Sequence, residues 1–162
     1  MFKSLFGSIE AARNCVAGFA ILAAACLAPA QAQNEVVFID PGVTGADVFE
    51  HAAGDAEYVR LDAGRPPLEQ IAGYMDGRHG IRSVHLISHG APGALQFSGG
   101  RIDRAALDLE IDYLARIRAA LADNADVRLY ACDVASGAEG ASFASAFADA
   151  LGAAMAASTN LT

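Results

Sequence analysis

Ser83-Val84-His85-Leu86-Ile87-Ser88-His89-Gly90-Ala91-Pro92-Gly93 is the stretch on which the fold turns. Its first six residues form an apolar run around one histidine, and Gly90, Pro92 and Gly93 end it. Such a run reads as a buried strand, and His89–Gly93 as the loop that follows. A second strand, Asp126-Val127-Arg128-Leu129-Tyr130-Ala131, stops at Cys132-Asp133. Val36-Val37-Phe38-Ile39 is a third, ending at Asp40-Pro41-Gly42. Glu57–Leu61 alternates as a half-buried strand does, and Ala153–Ala157 begins a fifth.

Helical patterns fall between these runs. Residues 44–53 fit a short helix with Thr44 as its cap. Pro66-Pro67 opens a helix over 67–77, with Leu68, Ile71, Ala72 and Met75 on one stripe. Leu95–Phe97 and Gly99–Ile102 suggest a small hairpin. Asp103 caps a long helix expected to reach residue 122, and a last helix covers 139–151. Strands alternating with helices pair in parallel through right-handed crossovers. The expected fold is therefore a three-layer α/β sandwich with a mostly parallel sheet.

In open parallel sheets, ligands bind beyond the carboxyl ends of the strands. His89 and Cys132 each follow a strand. If the two strands are neighbours, a thiol and a base of suitable pKa meet at one sheet edge, the arrangement that activates a nucleophilic cysteine. The N–H groups of Gly90 and Cys132 are candidates for stabilising an oxyanion. Asp40 has three open roles: orienting His89, binding a basic substrate side chain, or capping the turn after its strand. Asp133 either shapes the pocket or caps the next segment. His85 and His89 lie four apart, but on a strand that spacing spans ~13 Å, too far for one metal ion. His85 reads instead as a satisfied core residue, and His51 and His79 as solvated. A serine hydrolase is disfavoured because no G-x-S-x-G elbow is present. Nothing in the sequence calls for a metal or an organic cofactor.

The amino terminus adds a destination. Lys3 and Arg13 precede an apolar run from Cys15 to Leu27, followed by Pro29 and Ala30-Gln31-Ala32. This is the layout of a cleavable secretory signal over residues 1–32. The run is shorter than the roughly 20 residues a membrane span needs, so no permanent span is expected. A lipoprotein variant would use Cys26, which follows three alanines. Cleavage leaves 33–162 as one domain and removes Lys3, Arg13 and Glu10, which takes the net charge from -8 to -9. So acidic a domain does not suit a phosphate backbone, and nucleic acid is excluded as a partner. Cleavage also removes Cys15 and Cys26, so the mature chain keeps Cys132 and cannot form an internal disulfide. The last strand stops almost at Thr162, and the domain is expected to be cut short there, with the native protein continuing.

The two strand ends, Ser88-His89-Gly90 and Tyr130-Ala131-Cys132, resemble the caspase-like (clan CD) cysteine peptidase superfamily, which includes caspases, gingipains, legumains, separases and CHAT domains. Their separation of 43 residues is close to the roughly 50 of caspases. The resemblance implies a His89–Cys132 dyad and a caspase-like α/β fold. Tyr130 stands where caspases have glutamine, and Asp133 replaces their arginine, glutamine or glycine, so no substrate preference carries over.

A wider likeness rests on Val37–Val43, His85–Gly93 and Ala157-Ser158-Thr159. It is to an uncharacterised bacterial domain that tends to open very large, repeat-rich surface or adhesin-like proteins. Two functions follow as expectations. One is an exported cysteine peptidase in the periplasm, at the cell surface or outside the cell, acting on a polypeptide, its own longer chain included. The alternative is a non-catalytic amino-terminal module of a surface protein.

Overall fold

The structure, a computed structural model, describes residues 34–45 and 56–160. The segment read as an export signal, most of the helix expected over 44–53, and His51 lie outside the described residues. Five parallel strands make the main sheet: β1 (Glu35–Ile39), β2 (Glu57–Arg60), β3 (Ile81–Ile87), β7 (Leu121–Tyr130) and β8 (Ala154–Ala157), in the order β2-β1-β3-β7-β8. After the second strand the chain crosses over β1 and then builds steadily outward. A smaller antiparallel sheet joins β4 (His89–Ala91), β5 (Ala94–Phe97) and β6 (Gly100–Asp103). The helices are α1 (Pro67–Met75), α2 (Arg104–Leu109), α3 (Ile111–Ala120) and α4 (Gly137–Leu151).

Alternation along each strand sorts the core into two faces. Val36, Phe38, Val84, Leu86, Val127 and Leu129 belong to the larger cluster, under helices α1, α3 and α4, which pack against one another. Phe38, Ile71 and Phe143 are at most 2% exposed, and burying such a side chain contributes about 1.5–3 kcal/mol. Val37, Ile39 and Ile87 point the other way and form a separate cluster with Ala56. The parallel sheet is thus the middle of the expected three-layer α/β sandwich. Among the described residues no helix is long and apolar enough to cross a membrane.

Two local expectations need correction. His89–Ala91 is not simply a loop: it turns out of the main sheet as β4 and pairs with β5, His89 opposite Gln96. The helix expected from 103 to 122 is two helices, broken at Glu110, whose backbone (φ -108°, ψ 36°) leaves the helical region. Asp103 does cap its start, accepting a hydrogen bond from the Ala106 N–H at 3.1 Å. Leu107, Leu114 and Ile117 are buried, while Leu109 and Ile111, which flank the break, are exposed. No single helical stripe holds all five. Gly152, in the left-handed conformation (φ 62°), closes α4 as a glycine C-cap should.

Candidate functional site

β3 and β7 are adjacent and in register, with Ile87 opposite Tyr130. His89 and Cys132 each lie two residues past that last rung. The Ser88 N–H donates to the Tyr130 carbonyl at 3.2 Å and carries the pairing one step further. Gly90 then packs on the Cys132 backbone. A Cβ at Gly90 would lie 2.5 Å from the Cys132 carbonyl oxygen and 3.0 Å from its nitrogen. Any side chain there would push the two strand ends apart. The visible part played by Gly90 is this close approach.

His89 and Cys132 line one cavity of about 540 Å³ at the carboxyl ends of β3, β7 and β8. Cys132 is a half-buried thiol and His89 is exposed. Ile87, Arg128, Tyr130 and Ala156 line it from the sheet face opposite the helices α1, α3 and α4, and Leu129, Ala131 and Ala157, of the helix-side cluster, line it at the strand ends. Ser158, just past β8, completes the rim.

His89 is held from the β1 side. Its Nε2 lies 3.3 Å from the Gly42 carbonyl oxygen. A carbonyl only accepts, so in this contact the ring carries its proton on Nε2, and the Nδ1 lone pair is its basic site. Asp40 does not touch the cavity. It is 1% exposed, and its carboxylate accepts from the Gly42 N–H (3.2 Å), the Ser98 N–H (2.7 Å) and the Ser98 hydroxyl (3.1 Å). The Val43 N–H closes the same turn on the Asp40 carbonyl at 3.1 Å. Asp-Pro-Gly is turn chemistry, and of the three roles left open for Asp40 the observed one is the cap. Through it Asp40 fixes the turn that presents the Gly42 carbonyl to His89.

Asp133 also works through backbone. Its φ is 54°, a conformation that aspartate tolerates better than most residues. Its N–H donates to the Asn160 carbonyl (3.0 Å), and its own carbonyl accepts from the Ser136 N–H (2.8 Å). It bends the chain immediately after Cys132 and ties it to the segment after β8.

His85 sits beneath Tyr130, 7% exposed. Its Nε2 meets Ser83 Oγ at 3.0 Å and Glu35 Oε1 at 2.6 Å, and its Nδ1 lies 3.3 Å from the Tyr130 hydroxyl. The two rings stack at 5.6 Å. The satisfied core histidine expected from sequence is what the structure contains, and it braces one wall of the cavity. His79 is exposed, as expected.

Several contributors escaped sequence reasoning. Gly42 acts through its carbonyl, which has no residue signature. Ser98 lies in a hairpin turn 58 positions from its partner. Arg128 and Tyr130 were legible in principle, since they alternate onto the face opposite Val127 and Leu129. Ala156 needed the position of β8.

Fold and site together define an α/β domain with a histidine and a cysteine on neighbouring strand ends, facing one cavity. The chain belongs to the family described as Domain of unknown function (DUF4347), whose profile matches residues 36–162. No curated protein matches the sequence.

Proposed function

We infer that this domain is an exported cysteine peptidase of caspase-like type, with Cys132 as nucleophile and His89 as base. The supporting observation is that both residues follow the carboxyl ends of adjacent, in-register strands and line the same cavity. The Gly42 carbonyl supports it further by directing the His89 proton to Nε2. In this reading His89 Nδ1 takes the thiol proton, and Sγ bonds to the carbonyl carbon of a peptide. The C–N bond then breaks, and the amine leaves with the proton from His89. Water, deprotonated by His89, hydrolyses the thioester and regenerates the thiol. The substrate in this reading is a polypeptide.

Alkylation by iodoacetamide at neutral pH, followed at the Cys132 peptide by mass spectrometry, tests the dyad. His89→Ala is expected to slow it by about tenfold or more, because thiolate character sets the rate. Equal rates would remove the dyad and leave the second reading, a non-catalytic amino-terminal module of a surface protein. The half-burial of Cys132 favours that second reading.

A further inference from the structure

We propose that the cavity beside Cys132 selects a neutral, bulky apolar side chain on the residue whose carbonyl is attacked. This rests on the peptidase reading of the same site and adds the substrate class.

Of the cavity's lining residues, Ala131, Ala156 and Ala157 are small, and Val43, Ile87 and Tyr130 add larger apolar surface. At about 540 Å³ it lies within the usual range for a ligand pocket, with room for one large side chain and its flanking backbone. That side chain is borne by the Cα next to the carbonyl carbon that Sγ would attack, so it enters the cavity that holds Cys132.

Charge then discriminates. Among the described lining residues none is a carboxylate; the ionisable groups are Arg128, His89, Tyr130 and Cys132. A lysine or arginine side chain would meet the Arg128 guanidinium, find no carboxylate among the described lining residues to pair with, and be desolvated at a penalty. An aspartate or glutamate would find Arg128 already engaged, its Nε 2.6 Å from Asp126 Oδ2. An acidic substrate would have to displace that pairing. Leucine or phenylalanine meets neither obstacle and covers apolar surface.

The test uses the full chain and four peptide acyloxymethyl ketones that differ only in the residue next to the warhead: Leu, Ala, Asp and Lys. Alkylation of Cys132 is timed by mass spectrometry in wild type, His89→Ala and Ala156→Phe. Leu is expected to react about tenfold or more faster than Ala, Asp or Lys. Ala156→Phe fills part of the cavity and brings the Leu-to-Ala ratio close to one. A faster reaction with Asp or Lys, or a ratio untouched by Ala156→Phe, overturns the proposal. The dyad reading fails separately, if His89→Ala reacts with the Leu ketone as fast as wild type. A Leu preference that survives in that variant upholds the pocket while removing the base.

Discussion

Asp40 does not line the cavity, yet it governs the turn that holds His89. Asp40→Asn replaces one carboxylate oxygen with an amide nitrogen, and at least one buried donor of Gly42 or Ser98 loses its acceptor. The expected loss is about 2 kcal/mol of unfolding free energy, measured by urea titration. Alkylation of Cys132 should slow as well. Adding Asp40→Asn to His89→Ala should slow it no further, because Asp40 acts through His89. At this scale the sequence identified His89, Cys132, Gly90 and Asp40 as residues at strand ends. It could not choose among the roles of Asp40, because Ser98 is brought to it by the fold and the acceptor facing His89 is main chain.

Among the elements, the break between α2 and α3 carries its own charge effect. Burial, and then the neighbouring Glu69 carboxylate, hold the Glu110 carboxyl above its usual range. Its Oε2 is buried with no hydrogen-bond partner. A carboxyl whose folded pKa is raised destabilises the fold when charged. That penalty is full above the folded pKa and disappears below the unfolded one. Glu110→Gln is therefore expected to raise the melting temperature at pH 7, with the gain vanishing as the pH falls below the ordinary glutamate range. Thermal melts of both proteins across pH 3–8 check this.

The opposite sign holds at β2. Its Glu57 is hydrogen-bonded by Arg78 at 2.6 and 3.1 Å, which holds that carboxyl below its usual range. The pair stabilises above the unfolded pKa, and its contribution is lost as the pH falls through the folded one. Element types were largely readable because apolar periodicity differs between strand and helix. The break at Glu110 was not, since Leu109 and Ile111 looked like further apolar helix positions. Nor was β4, because its pairing with β5 depends on a neighbouring strand and not on its own composition.

For the whole molecule, the alternation of Val36–Ile39, Ser83–Ser88 and Asp126–Ala131 with helical stripes was enough to fix a parallel α/β sheet. It did not fix the strand order, which comes from crossover direction. The export reading is a property of the entire chain and has its own test. In a secreting bacterial host the protein should mature after Ala32, so that intact mass and amino-terminal sequencing place Gln33 first. Retention in membranes with lipid on Cys26 would overturn cleavage after Ala32. The shift in net charge from -8 to -9 should appear as a slightly more acidic mature species on isoelectric focusing.

The Gly42 carbonyl is an oxygen that every amino acid supplies, so no side-chain replacement deletes the group that steers His89. It can only be moved. A methyl at position 42 would come within 2.8 Å of both Asp40 Oδ2 and Ser98 Oγ, displacing the turn as a unit. Orientation of the histidine is therefore stored as loop shape, an inherited property shared by Asp40, Gly42 and Ser98 and vulnerable at each of them, although none of the three lines the thiol's cavity.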